Sequence, residues 1–194
     1  MDKEELFQAR TNPDFLKYLN ETRVNSIKAK DIALMYETLD SMLVLDLDEE
    51  QINELYQEIL KLAFENVEKI INKNKKLKLE DEHLFYARAL YEHAIEKWSN
   101  ENFDGAKELL FVMVNLIDDE LLKKALNVLI IFLSSKMELD EFYDSKVDLE
   151  KASDEKYGYF IVNFNFDSQK YLKENKKVLE QEYENLKHLI VEHK

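Results

Sequence analysis

Four histidines are the first candidates for metal binding or acid–base chemistry: His83, His93, His188 and His193. Glu80 and His83 have the Glu-x-x-His spacing that places two ligands on one helix face in di-iron bundles. A di-iron site needs a second such motif and two further glutamates, and the sequence contains no second Glu-x-x-His. Glu184 and His188, four residues apart, also fit one helix face. We interpret these histidines as solvated polar residues near helix ends or, for His93, as a packed or half-exposed side chain, and assign no metal ligand.

Paired carboxylates offer the other chemistry. Glu65–Glu68 and Glu101–Asp104 match in spacing the Glu-x-x-Glu and Glu-x-x-Asp pairs of an all-α, Mg²⁺-dependent nucleotide hydrolase, although the second pair falls at a predicted turn. Chance pairs are expected among 41 acidic residues. The hydrolase stays open as an alternative function. We assign no catalytic residue and no cofactor, and the absence of cysteine excludes a Cys/His nucleophile.

Composition excludes several other classes. The 194 residues include two glycines and one proline, too few for phosphate-binding glycine loops or for a fold rich in tight turns. With 27 basic and 41 acidic residues the net charge is −14, which argues against a nucleic acid or an anionic membrane as partner. The longest strongly apolar run, residues 126–133, is far shorter than the roughly 20 residues that span a bilayer. Without cysteine or a signal peptide, the sequence predicts a cytoplasmic location.

Apolar residues at helical spacing predict an all-α fold, either a helical bundle or an irregular stack of α-hairpins. Asn12 and Pro13 form the N-cap and first residue of a helix, and Asp48 caps another of about 25 residues. Further helices are predicted over residues 30–45, 81–99, 103–117, 119–137 and 168–191. Those over 103–117 and 119–137 are apolar almost all round, so we expect them at the centre of the bundle.

The region after residue 137 differs in character. Residues 138–156 hold eight acids and three lysines, and predict a partly ordered acidic connector. Aromatic and β-branched residues then alternate over 157–166 and predict one extended strand. This segment would pair with a second copy, pair with a partner, or cross the helices as a strap. We therefore divide the chain into a helical core (1–137), the connector, and an extended segment with a long helix (157–194), packed on the core or on a second chain.

Residues 87–120 resemble a tetratricopeptide (TPR) helix–turn–helix unit. Ala94 and Ala106 occupy the two small positions, Phe103 the aromatic position at the turn and Leu110 the large apolar one. A shift of 34 residues finds no second copy of the pattern, so no tandem array is predicted. The resemblance implies a protein-binding scaffold rather than an enzyme. A chaperone-like role is among the functions that it implies.

Surfaces are therefore the main functional candidates. The aromatic segment provides a candidate interaction surface, unless it packs within its own chain: Tyr157, Tyr159, Phe160, Val162, Phe164 and Phe166. A candidate groove combines aromatic residues with two asparagines that interrupt apolar helices: Tyr91, Trp98, Asn115 and Asn127. In the alternative interpretation, the two asparagine amides form interhelical or backbone hydrogen bonds that fix the helix register. The predicted function is a non-enzymatic, cytoplasmic protein–protein interaction module, an adaptor or chaperone-like protein. Its partner is a protein of unknown identity, and we also predict a homodimer.

Overall fold

The computed structural model describes residues 3–151 and 153–191, in which eleven α-helices alternate with short connections. This confirms the predicted all-α fold class. None of these helices is both long enough and apolar enough to cross a membrane. In chain order the helices are α1 Lys3–Thr11, α2 Pro13–Ala29, α3 Ile32–Val44, α4 Glu49–Asn72, α5 Asp81–Ser99, α6 Phe103–Leu116, α7 Glu120–Ser134, α8 Leu139–Lys146, α9 Ser168–Glu174, α10 Lys176–Leu186 and α11 His188–Val191.

The chain forms two compact units, residues 1–66 and 67–194, and the division falls within α4. In the first unit α2 packs against α1 and α3. The side chain of Asn12 accepts hydrogen bonds from the backbone N–H groups at the start of α2, and Asp48 accepts one from Gln51 at the start of α4, at 3.0 Å. Both predicted N-caps are therefore confirmed, because capping depends on local chemistry that the sequence displays directly. The division at residues 137 and 156 stays a prediction.

In the second unit α6 packs between α5 and α7. Every residue of α7 from Val128 to Leu133 is buried, and so are Leu110, Phe111, Met113 and Val114 of α6. A helix that is apolar on all sides needs neighbours on all sides. The prediction that these two helices form the centre is confirmed for this unit.

The first half of the predicted acidic connector is a helix, α8, rather than a partly ordered segment. Its inner face carries Phe142, which is fully buried. The Phe142 ring lies 4.9 Å from that of Trp98 and 5.1 Å from that of Phe132, measured between centroids. The sequence pattern missed α8 because one buried aromatic residue, without a longer apolar stripe, fixes this short polar helix.

Residues 157–166, which we call the strap, do not form the predicted strand. The strap begins in a 3-10 turn, Glu155–Tyr157, and then makes a single antiparallel bridge between Phe164 and Val147. Two hydrogen bonds flank this bridge, from Asp148 N to Asn163 O at 3.1 Å and from Asn165 N to Lys146 O at 3.0 Å. Pairing stays this short because the facing segment begins where α8 ends. The alternating aromatic residues pack on helices of the same chain.

The predicted C-terminal helix over 168–191 is divided into α9, α10 and α11. Asp167 caps α9, accepting hydrogen bonds from two backbone N–H groups. Asn175 leaves helical geometry, and its side-chain amide donates to Tyr171 O at 3.0 Å. Asparagine side chains compete in this way with the helical hydrogen-bond ladder, which accounts for the break. The segment packs on its own chain, α9 on α7 and α10 on both α6 and α7.

Candidate interaction surface

Asp119 fixes the start of the strap to α7. As the N-cap of α7, its carboxylate accepts a hydrogen bond from Leu122 N at 2.9 Å. The same carboxylate accepts hydrogen bonds from Lys156 Nζ at 2.9 Å and from the Tyr157 hydroxyl at 3.0 Å. Burial raises the pKa of Asp119, but these hydrogen bonds and the Lys156 charge outweigh burial and hold the pKa below its usual value. The ionised carboxylate thus joins two elements.

Tyr91 of α5 holds the middle of the strap. Its buried hydroxyl accepts a hydrogen bond from Ile161 N at 3.0 Å. Its ring makes an edge contact with Phe160, with 5.2 Å between centroids. Burial raises the pKa of Tyr91 above its usual value, so this hydroxyl stays protonated at neutral pH. The strap backbone is therefore fixed against α5.

Tyr159 lies on a charged support. The Arg88 guanidinium is 4.1 Å from the centroid of the Tyr159 ring, and the Phe85 ring is 6.5 Å from it. Arg88 is buried, and its Nε donates to Glu92 Oε1 at 2.7 Å. A cation over an aromatic face restricts the ring and strengthens its packing. One face of Tyr159 is thus supported, while 37% of the residue remains exposed.

The end of the strap contributes to an aromatic cluster within the second unit. Phe164 lies 6.4 Å from the Phe142 ring and 5.3 Å from the Phe166 ring, between centroids. Phe166 in turn contacts Tyr171 of α9 at 5.1 Å, and Tyr171 stacks on Phe132 of α7 at 5.0 Å. These rings join α7, α8 and α9 through the strap.

The six predicted surface residues are thus brought together on their own chain. Tyr157 and Phe160 are buried, Val162, Phe164 and Phe166 are half-buried, and Tyr159 is exposed. Tyr157 and Phe160, the two buried residues, are three positions apart. A 3-10 turn has three residues per turn and so places such residues on one side, whereas a strand would place them on opposite faces. Tyr159 is therefore the strap aromatic with the most surface available to a partner.

The predicted groove residues make hydrogen bonds within the chain. Trp98, which is buried like Tyr91, donates from Nε1 to Met137 O at 2.8 Å. The Asn115 amide donates to Phe111 O one turn earlier, and the Asn127 side-chain oxygen accepts from the Tyr183 hydroxyl, both at 2.8 Å. The last contact joins α7 to α10. These bonds confirm the alternative in which the two amides satisfy backbone and interhelical partners.

A concavity of about 250 Å³ lies between α8, the following loop and the strap. We call it the strap groove. Part of its lining is polar, formed by Asp148, Lys151, Ser153 and Asn163 beside Gly158. The rest of its lining is apolar or aromatic: Tyr143, Val147, Leu149, Tyr159, Phe160, Ile161 and Val162. Three of these residues are large and well exposed, Tyr143 by 44%, Leu149 by 62% and Tyr159 by 37%. Sequence reasoning missed Tyr143 and Leu149, although the signal was an apolar residue within an acidic segment.

The first unit contains a different concavity, an open groove between α2 and α4 with a volume of about 1070 Å³. Its charged lining consists of Arg23, Asp48, Glu49, Glu50, Glu54 and Glu58. Arg23 forms an ion pair with Glu54 at 3.4 Å. This groove is wide, and five of the residues that line it are acidic.

Several of the carboxylates and histidines considered for metal binding make ordinary polar contacts. Glu65 pairs with Lys30 at 3.5 Å, and Asp104 pairs with Lys107 at 3.1 Å. His93 Nδ1 lies 2.8 Å from a Glu96 carboxylate oxygen, whereas His193 is outside the described residues. Over residues 3–151 and 153–191, no three His, Cys, Asp or Glu side chains form a group suited to a metal ion.

Comparisons of the chain with protein-family models, with curated proteins and with solved structures give no match. Its function is therefore inferred from its own geometry, and above all from the strap groove.

Proposed function

We propose that this protein is a non-enzymatic interaction module, a small helical adaptor that binds a protein partner through the strap groove. One observation carries the proposal: the exposed side chains of Tyr143, Leu149 and Tyr159 line a single concavity. Apolar side chains scattered singly over a surface are ordinary, whereas a contiguous exposed group is typical of an interface. Tyrosine is also among the residues that contribute most to binding energy at interfaces.

The support beneath the groove favours binding. The Asn163 amide donates to Ser153 Oγ at 2.8 Å and to Lys151 O at 3.2 Å, so one strap residue holds the facing loop. Tyr91 fixes Ile161 from below, and Arg88 supports the Tyr159 ring. A surface held in place before binding loses less conformational entropy when a partner arrives.

The tetratricopeptide-like relation belongs to this proposal. Ala94 and Ala106 are both buried, on α5 and α6 respectively, and these two helices pack together. Leu110 is buried at the large apolar position. Packing of two helices that each bury an alanine is in keeping with a helical scaffold that serves protein binding.

Affinity capture with the 194-residue chain and two variants tests the proposal. The groove variant carries Tyr143→Ser and Leu149→Ser. The matched control carries Leu121→Ser and Val178→Ser, which removes two exposed apolar side chains of α7 and α10. We expect the wild type and the control to retain the same partner and the groove variant to lose it. A partner retained equally by both variants would contradict the assignment of the site.

A further inference from the structure

We infer that the occupant of the strap groove is a short peptide segment of a partner, with an apolar side chain flanked by lysine or arginine. This inference rests on the proposed function, because it specifies the chemistry of the partner at that site. The groove supplies the apolar contacts, and its surroundings supply the charge. The volume of the groove limits the size of the group that can enter it, and the charge around the groove limits the charge of the partner segment.

The charge around the groove is negative. Asp148 lines the groove, and further acids each adjoin a lining residue in the chain: Asp144, Glu150 and Asp154. Lys151 lines the groove as well, and Lys146 adjoins the lining residue Val147. By the same criterion the groove and its chain neighbours thus hold four acids and two lysines, a net charge of −2. Lys156 is engaged by Asp119 at 2.9 Å. Complementary charge attracts a partner and excludes a like-charged one, so these acids select a basic segment.

The volume of the groove limits how much of a partner can enter it. About 250 Å³ is below the range of roughly 300–1,000 Å³ typical of small-molecule pockets. Such a space accommodates an anchoring side chain between Leu149 and Tyr159. Neighbouring residues of the peptide then lie across the rim, near Asp144 and Glu150.

A second copy of this chain fits the groove less well. Each copy carries a net charge of −14, so self-association here would bring acidic surfaces together. Like charges placed opposite one another disfavour a complex. The predicted homodimer therefore becomes an outcome that the experiment must distinguish.

Fluorescence anisotropy with the 194-residue chain provides the test. The probe is a short labelled peptide with leucine and phenylalanine between lysines, and two matched probes replace every lysine by serine or by glutamate. We expect the basic probe to bind at least about tenfold more tightly than the serine probe, and the acidic probe to bind weakest. Binding of the basic probe should weaken strongly in about 1 M salt, where the Debye length is about 3 Å.

Two variants of this protein separate apolar anchoring from charge. The groove variant, Tyr143→Ser with Leu149→Ser, should weaken the basic probe about tenfold or more, while Leu121→Ser with Val178→Ser should leave its affinity unchanged. Asp144→Lys with Glu150→Lys changes exposed rim residues and should shift the preference toward the glutamate probe. Circular dichroism and thermal melts establish that each variant is folded.

The contrary outcomes are distinct. Equal affinity for the basic and serine probes overturns the charge inference. Failure of all probes to bind also overturns it if the capture experiment succeeds. In both cases the proposed function stands. Equal binding of the basic probe to the groove variant overturns the site itself, and with it the proposed function. A dimer in analytical ultracentrifugation that the groove variant abolishes would make a second copy the occupant.

Discussion

At the scale of single residues, Asp119 combines two structural roles. Its carboxylate caps α7 and also accepts hydrogen bonds from Lys156 and Tyr157. Capping was predictable, because an aspartate before an apolar helix is a local signal. The contact with Tyr157 spans 38 residues of chain and has no local signal.

Replacing Asp119 should therefore lower stability in a pH-dependent manner. Asp119→Asn should reduce the free energy of unfolding by about 1–2 kcal/mol at pH 7, measured by urea denaturation. The folded state lowers the pKa of Asp119, so its contribution is complete above the unfolded pKa of about 4. The difference from wild type should shrink as the pH falls from about 4 through the folded pKa.

Asp118→Asn is the matched control, because Asp118 is the exposed neighbour and caps no helix. We expect its effect to stay within about 0.5 kcal/mol. If both variants lose the same stability, or if the loss at position 119 persists at low pH, the role assigned to this carboxylate is wrong.

Tyr91→Phe should loosen the strap with little change in packing, because it removes the acceptor for Ile161 N and keeps the ring against Phe160. We expect faster hydrogen exchange at the Ile161 amide and a loss of about 1 kcal/mol in the free energy of unfolding. Tyr86→Phe, in the same helix, removes a hydroxyl that donates to Glu82 at 3.0 Å. It should leave exchange at Ile161 unchanged, and an equal effect would contradict the assignment.

At the scale of elements, α8 and the strap depend on tertiary packing. Predictions succeeded where local chemistry decides, as at Asn12 and Asp48, and where apolar periodicity is long, as in α6 and α7. They failed where one buried ring fixes a short helix, at Phe142, and where alternating aromatic residues pack on helices instead of pairing as a strand. Of the residues that line the strap groove, Tyr159, Phe160 and Val162 were among those predicted from the sequence, whereas Tyr143 and Leu149 were not.

Phe142→Ala should destabilise the protein by about 3–5 kcal/mol, since it removes a fully buried ring from contact with Trp98 and Phe132. Tyr143→Ala, the next residue, is 44% exposed and should cost about 1 kcal/mol or less. Thermal or urea unfolding measures both. Equal losses would indicate that α8 is not anchored through Phe142.

At the scale of the whole molecule, the net charge of −14 opposes compaction. Dissolved salt screens this repulsion, with a Debye length of about 30 Å at 0.01 M and 10 Å at 0.1 M. We therefore expect the melting temperature to rise between these NaCl concentrations. MgCl₂ at equal ionic strength should raise it by a similar amount.

The divalent arm of this experiment bears on the hydrolase alternative. A ligand that binds only the folded state raises the free energy of unfolding. Once the ligand concentration exceeds Kd, this increase grows with the logarithm of the concentration. A large stabilisation by Mg²⁺ or Mn²⁺ beyond the ionic-strength effect, enhanced by a nucleotide, would favour the hydrolase. It would also count against the adaptor.

The bridge between Val147 and Phe164 closes the intervening chain into a loop, and α9 and α10 beyond it pack on α6 and α7. The exposed Lys151 lies within this loop. A single tryptic cut there should leave two fragments that migrate together on a native column and separate in denaturant. The part of the chain that follows the cut would then behave as a noncovalent subunit.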